Sequence, residues 1–372
     1  MKRKRIHICH LVYSFNTGGL ERVIANMINK LDGERFEHTI ISLTDVGSFI
    51  NEIDGDVNYI PMHKRQGNDF SLYLKLYKLF IQLKPDVLHS YNLATIEYQF
   101  IGLLARIPKR VHAEHGRDSY DPKGDVRKYQ LIRRVCAYAI HNIVTVSSEL
   151  EQWLLNTVKI PPQKTSLIGN GVDTVFYNRS HVQASAENYY DDKFVFGHVA
   201  RLHPIKNQQF ILEAFEKACS YSEPFKQNCA LVFVGDGPDC NKLKKYVADS
   251  KLLKKKVVFE GNRSNVRDYY FNFDVFVMAS INEGVPMTLL EAMSMEVPHL
   301  IIPVGGINDV TIANKTGLIV SSHDTTQYSE KLIEAFEDKQ TLRIMAKCAR
   351  SLVVNKFSEN NCIQSYTELY TR

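Results

Sequence analysis

The chain has 372 residues, 44% of them hydrophobic and 23% charged, and a formal net charge of +5. That length exceeds what one core ordinarily fills and suits two domains, while the composition excludes a disordered chain. No apolar run approaches the roughly 20 residues needed to span a bilayer, which excludes a membrane-crossing helix.

The charge is unevenly placed. Up to Arg179 there are 24 Lys/Arg against 18 Asp/Glu, and beyond it 22 against 23, so the positive excess belongs to the first half. Nine of these basic residues lie between Arg106 and Arg134, including Arg127, Lys128, Arg133 and Arg134. A solvated helix face explains such a run, and so does attraction to anionic lipid or to a phosphate-bearing acceptor. Nucleic acid is not an expected partner, because no zinc finger or RNA-binding signature accompanies the charge. Seven scattered cysteines without a CxxC suit buried thiols in a reducing cytoplasm. The expected location is cytoplasmic, with peripheral contact at the inner face of an anionic membrane.

Val- and Ile-rich runs alternate with helical periodicity along nearly the whole length, the pattern of βαβ units and parallel sheets. The first fifteen residues join a basic start to an apolar stretch, as a signal peptide does. The apolar part is short, however, carries His7 and His10, and runs into a glycine loop and an amphipathic helix, so it reads as a first strand. Further strands are expected over HTIISL, DVLHSY, RVHAEH, NIVTVSS and TSLIGN, with helices at 19–31, 71–84, 98–105, 128–139 and 149–158. The helix at 71–84 reads as core-facing, with a membrane-surface element as the rival explanation. Residues 182–193 are polar, acidic and aperiodic, a linker or surface loop. The pattern then restarts with strands FVFGHVARL, CALVFVGDG, KVVFEG, DVFVMAS, HLIIP and GLIV. Helices are expected at 208–221, 241–250, 266–271, 286–295, 328–337, 341–356 and 360–370. The NGVD turn, where Asn170 and Gly171 can take left-handed angles, divides a first domain over 1–172 from a second over 173–355.

GGLER follows the first strand and opens a helix. Gly18 and Gly19 permit close backbone approach, and the helix start offers N–H groups to phosphate, although a tight strand–helix turn explains the pair as well. His115 ends another strand, at the edge where ligands of such sheets gather. In ARLHPIKN, Arg201 and Lys206 stand five apart just beyond a strand, a planar fork and a mobile point charge suited to a diphosphate. In NEGVPMTLLEAM, Glu283 lies in a loop and Glu291 eight residues on, in a helix started by Pro286. At about 1.5 Å per helical residue the two carboxylates are at most roughly 12 Å apart, a span suited to the two ends of one nucleotide sugar. Between them Gly284 and the N–H groups of Val285, Met287 and Thr288 face the same ligand. A general acid/base pair of carboxylates is the rival chemistry. Asp54-Gly55-Asp56 matches a metal-holding DxD superficially but lies far from the phosphate motifs. No metal and no cofactor is expected, because Arg201 and Lys206 already fill the cation role.

GGLER, His115, NGVD, ARL…K, VGDGP, EGVPMTLLEAM and PVGGIND together, in this order and spacing, resemble the family 4 glycosyltransferases over nearly the whole chain. The resemblance implies the α/β GT-B architecture, two Rossmann-like domains facing each other across a cleft, with the C-terminal helix 356–372 returning to the acceptor-binding first domain. It further implies retaining transfer from a nucleotide-diphosphate sugar, usually UDP-linked, to a glycan or lipid-linked acceptor in polysaccharide assembly. Arg201 and Lys206 would hold the diphosphate, Glu291 the ribose and Glu283 the transferred sugar. His115 would touch that sugar, Gly19 the phosphate, and Asn262 and Arg263 would lie beside the base. Asn207 and Asp309 depart from the usual glycine and glutamate. A nucleotide-sugar epimerase or hydrolase on the same fold, or a non-catalytic nucleotide-sugar binding protein, are the alternative readings.

Overall fold

The computed structural model describes residues 5–16, 18–45, 47–55, 57–118, 120–182, 190 and 193–372. Most of the linker expected over 182–193 lies outside the described residues, as do the basic lead-in 1–4 and Asp56. The chain forms two compact units: Met1–Asn170 with Asn361–Arg372, and Gly171–Asn360. Asn170 and Gly171 are not among the residues at positive φ. The turn is made instead by Asp173, whose carboxylate accepts the Val175 and Phe176 amides at 3.0 and 2.9 Å.

The first unit holds a parallel sheet of β1 (Ile6–Val12), β2 (Phe36–Ser42), β3 (Asn58–Pro61), β4 (Val87–Tyr91), β5 (Lys109–Glu114), β6 (Asn142–Thr145) and β7 (Thr165–Leu167), in the order β3-β2-β1-β4-β5-β6-β7. Its helices are α1 (Gly19–Lys30), α2 (Phe70–Leu83), α3 (Leu93–Ile96), α4 (Gln99–Leu104), α5 (Arg127–Cys136) and α6 (Ser148–Trp153). Alternate residues of β1 serve opposite faces, as the strand period requires. Ile8 and Val12 pack with α1 and with Tyr366 and Tyr370 of the C-terminal helix, whereas Cys9 and Leu11 pack with α2 and α4. The helix over α2 faces the core as expected through Leu72, Leu76 and Phe80, but it is apolar on its outer side too. Arg133, expected in a solvated face, is instead 2% exposed. Cys9, Cys136, Cys219 and Cys229 are buried, and the other three cysteines are partly exposed.

The second unit repeats the architecture with β8 (Phe194–Val199), β9 (Cys229–Val234), β10 (Val257–Gly261), β11 (Val275–Met278), β12 (His299–Ile301) and β13 (Leu318–Ile319), all parallel, in the order β10-β9-β8-β11-β12-β13. The helices are α7 (Gln208–Tyr221), α8 (Glu223–Asn228), α9 (Cys240–Asp249), α10 (Val266–Asn272), α11 (Met287–Ser294), α12 (Ile307–Val310), α13 (Thr325–Glu337), α14 (Lys339–Lys356) and α15 (Glu359–Thr371), the last continuing into the residues of the first unit. Central strands buried on both faces read as unbroken apolar runs, as FVFGHV and CALVFV do. The chain steps outward from β8 through β9 to β10, then returns to place β11 on the other side of β8. Loops leaving β8 and β11 therefore diverge at a topological switch point, where such sheets bind ligands at the carboxyl ends of their strands.

Candidate active site

Arg201 and Lys206 lie on the loop that leaves β8, and Glu283 lies on the loop that leaves β11. The two loops are tied at the backbone, the Ile281 amide donating to the Ile205 carbonyl at 2.8 Å. The Lys206 ammonium donates to Glu283 Oε1 at 2.5 Å, and the Ser280 hydroxyl donates to the same oxygen at 2.7 Å. The two charged side chains are 24% and 9% exposed, so the pair is half-withdrawn from water but still reachable. Arg201 is exposed on the same loop. Sequence reasoning missed Ser280, which carries no motif signature beyond its place three residues before the glutamate.

Beneath this pair a buried relay fixes the β8 loop. His198 Nδ1 donates to the Val277 carbonyl at 2.8 Å, leaving Nε2 to accept from Gln208 at 3.2 Å, and the same Gln208 amide donates to the Arg201 carbonyl at 3.0 Å. Burial holds the His198 imidazole down at about 4, the Val277 bond pulls the other way, and Lys206 adds to the lowering. Asn207 ends the loop at φ 54° and begins α7. Asparagine tolerates this left-handed geometry better than most residues, which accounts for its standing where glycine is usual.

The two glycine motifs of this unit act as spacers for the loops. A Cβ on Gly235 would lie 2.1 Å from the Ala200 carbonyl oxygen, and one on Gly237 2.3 Å from that of Leu202. Only glycine lets VGDGP lie against the Arg201 loop. In PVGGIND, Gly305 sits at φ 55° and a Cβ there would meet the Glu283 carbonyl oxygen at 2.0 Å, while the Gly306 amide donates to that oxygen at 3.2 Å. Asp309 follows, half-buried in α12.

Glu291 keeps different company. It is 7% exposed on α11 and accepts from the Tyr270 hydroxyl at 2.8 Å. Burial, and then the Glu291 carboxylate, push the Tyr270 phenol well above its ordinary range, so it stays a donor. Pro286 stands just before the helix, not in its first turn, with extended angles (φ −71°, ψ 123°). Its carbonyl takes the Leu289 and Leu290 amides at 3.2 and 3.3 Å, which leaves those of Met287 and Thr288 as end-of-helix donors beside Gly284 and the buried Val285. Arg350 of α14 braces the far end by donating to the Ser294 carbonyl. Asn262 and Arg263 are exposed after β10, at the same edge of the sheet, and Arg263 donates to Glu260 at 3.1 Å. A pocket of about 400 Å³ in this unit lies at the opposite, amino-terminal edge, beside Asp274, Pro298 and Lys339, and takes no part in the site.

In the first unit Gly18 begins α1 with extended angles, and a Cβ there would strike the Glu21 carboxylate at 2.3 Å, whereas nothing lies within 4 Å of one on Gly19. The fold itself therefore does not demand glycine at 19. Glu21 is a further group the sequence reading passed over: burial raises its carboxyl to about 7. His115 follows β5, its amide bonded to Asn92 Oδ1 at 2.9 Å, and its buried Nε2 has no partner among the described residues. Burial lowers its imidazole to about 4 despite the neighbouring Glu114, so at neutral pH it is an uncharged ring. Burial would raise Glu114, but Arg133 at 2.6 Å and His112 outweigh it and hold the carboxyl at about 2. Arg133 also reaches Asp118 at 2.9 Å, so both acids of AEHGRD are tied to α5.

Two family models match, "Glycosyltransferase Family 4" over residues 17–176 and "Glycosyl transferases group 1" over residues 182–352. Among curated proteins, the chain is 26% identical over 378 residues to the UDP-Gal:alpha-D-GlcNAc-diphosphoundecaprenol alpha-1,3-galactosyltransferase of Escherichia coli, covering 98% of this chain and 97% of that one. Among solved structures, a glycosyltransferase of Rickettsia africae superposes with a TM-score of 0.82 at 21% identity, covering 99% and 98% of the two chains. Anabaena Alr3699/HepE in complex with UDP and glucose superposes with a TM-score of 0.82 at 18% identity, covering 99% and 100%. Consecutive matches to both halves, full-length kinship and paired parallel sheets agree with the ordered motifs, and the chain belongs to the family 4 glycosyltransferases, enzymes of the GT-B fold.

Proposed function

We propose that this glycosyltransferase moves a sugar from a UDP-sugar to a glycan or lipid-linked glycan acceptor in polysaccharide assembly. The second unit would bind the donor and the first would receive the acceptor. The observation that carries the reading is the Lys206–Glu283–Ser280 cluster at the switch point of the second sheet. One cation and one carboxylate, held side by side, offer a phosphate oxygen and a sugar hydroxyl their complementary partners. The kinship with the Escherichia coli galactosyltransferase, whose name specifies a UDP-sugar and a diphosphoundecaprenol-linked acceptor, supports the substrate classes.

Lys206 and Arg201 take the diphosphate and stabilise the charge that grows on it as the glycosidic bond breaks. Glu283 binds the sugar hydroxyls, Glu291 the ribose diol with Tyr270 setting its carboxylate, and the Met287 and Thr288 amides the phosphate. Asn262 and Arg263 flank the base. Gly19 and the neutral His115 keep the roles the family resemblance gives them. Two cationic side chains already fill the part of a divalent ion, so transfer is metal-independent and persists in EDTA. Anomeric configuration is retained by front-face attack: the acceptor oxygen bonds to the anomeric carbon as the carbon–phosphate-oxygen bond breaks. The acceptor's hydroxyl proton passes to that departing phosphate oxygen, and UDP leaves.

Lys206→Met tests the reading. It should lower kcat/KM for transfer by roughly 100- to 1,000-fold, the usual effect of deleting one charge-stabilising donor, with a near-native melting profile. Unchanged turnover from every UDP-sugar tried would sink the proposal.

A further inference from the structure

The first unit presents an apolar surface that neither its core nor sugar transfer uses. On α2, Phe70, Leu74, Tyr77 and Ile81 recur at one-turn intervals on the side opposite the buried Leu72, Leu76 and Phe80, and Phe70 is 78% exposed. Helix α4 packs against α2 and adds Leu103 and Leu104, the latter 65% exposed. It also touches the turn that follows α5, where Tyr138 is 82% exposed, and α5 itself exposes Leu131 and Val135. All three helices cover the same face of the sheet: Leu72 and Ile101 pack on the side of Cys9, and α5 packs on Ile143 of that side. Scattered exposed leucines are ordinary. Exposed apolar side chains gathered on three neighbouring helices over one sheet face mark an interaction surface.

The charge around the stripe says what it meets. Lys75, Lys78 and Lys84 flank it on α2, Arg106 follows α4, and Lys123, Arg127, Lys128 and Arg134 surround α5, all exposed. Over residues 70–84, 97–106 and 123–138 the exposed carboxylates are Glu97 and Asp125 alone, so the rim carries eight cations against two anions. A second copy of the chain would bring the same excess of cations against itself. An anionic bilayer offers both complements at once, acyl chains for the stripe and phosphates for the lysines and arginines. Tyr77 and Tyr138 suit the boundary, where an apolar ring with a polar tip is at home. No helix among the described residues is long and apolar enough to cross a membrane.

We propose that the face formed by α2, α4 and α5 seats the enzyme on the surface of an anionic phospholipid bilayer, its apolar stripe in the headgroup boundary and its basic rim on the lipid phosphates. The seat does not depend on the donor chemistry, and its test is independent of turnover.

The full chain is sedimented with vesicles of phosphatidylcholine alone and of phosphatidylcholine mixed with phosphatidylglycerol, at low and high salt. Binding is expected to the mixed vesicles only, and to weaken with salt. Lys75→Gln with Lys78→Gln should lower the partition coefficient roughly 30-fold, about fivefold for each charge lost near the surface. Leu74→Ser with Tyr77→Ser should lower it at unchanged charge. UDP-induced thermal stabilisation, read in the same preparations, should match wild type in both variants, which separates loss of the seat from loss of the fold or of donor binding. No binding to the mixed vesicles overturns the proposal, and so does binding that survives both double substitutions. A wild-type dimer in sedimentation velocity that Leu74→Ser with Tyr77→Ser dissolves also overturns it, and makes a second copy the occupant.

Discussion

Gly305→Ala is the sharpest perturbation the second unit offers, because it moves the Glu283 loop without touching a charged group. Alanine at φ 55° incurs the left-handed backbone penalty, about 1–2 kcal/mol. Its Cβ would start 2.0 Å from the Glu283 carbonyl oxygen, where ordinary contact begins above 3.4 Å, so backbone must separate by more than an ångström. The oxygen cannot retreat freely, since it accepts the Gly306 amide, and the side chain of the same residue is held by Lys206 and Ser280. A displacement of about 1 Å at a positioning group costs on the order of 100-fold in rate. We expect kcat/KM for sugar transfer to fall by about that factor. The melting temperature should fall by roughly 2–8 °C, given about 2–4 °C per kcal/mol for a unit of this size. Gly33→Ala is the control: nothing lies within 4 Å of a Cβ there, and both quantities should stay at wild type. Wild-type kcat/KM in Gly305→Ala, alongside a lowered melting temperature, would refute the claim that the place of Glu283 governs transfer.

Two other outcomes follow from the titrating and hydrogen-bonding groups. Tyr270→Phe removes the hydroxyl that donates to the buried Glu291 at 2.8 Å, a loss of about 1–2 kcal/mol. UDP affinity measured by calorimetry should therefore drop roughly 5- to 30-fold, and unchanged affinity would separate Tyr270 from the donor. In the first unit, burial lowers His38 and His115 to about 4 and lowers His10 and His89 well below 6.5, while the unfolded chain takes up protons near 6.5. The folded values are depressed, so the stability they protect is complete above about pH 6.5 and is lost as pH falls toward 4. The slope approaches about 5 kcal/mol per pH unit when four sites titrate only in the unfolded chain. The single tryptophan, Trp153, is buried in that unit, so its fluorescence should report a denaturant midpoint that falls steeply between pH 6.5 and 5. A midpoint flat across that range would contradict the burial of these rings.

The sequence disclosed apolar strands, even the short β12 and β13, and long helices, and hid elements too brief or too exposed to carry either signal. A parallel strand buried on both faces appears as an apolar run, and α7 appears as a clean 3.6-residue period, so both were legible. Strand β3 has one exposed and three half-exposed residues, ending in Pro61, and α3 and α12 have four residues each, less than the two turns in which a period shows. Lys206 and Glu283, which the structure brings together, stood out in the sequence because each announces its charge locally. Tyr270 and the spacer role of Gly237 and Gly305 were not legible, because each acts on a segment brought near only by the fold, and Ser280, three residues from Glu283, carries no signature of its own. Arg133 is the instructive error. Its charge suggested a solvated face, yet its phase on α5 places it on the stripe of Ile132 and Cys136, which packs inward. An arginine on such a stripe requires buried carboxylates, and Glu114 and Asp118 of AEHGRD supply them. With Arg133 withdrawn into the core, the outward side of that helix is left to Leu131, Arg134 and Val135, with Tyr138 in the turn that follows, a mixture of apolar and cationic groups that water alone does not explain.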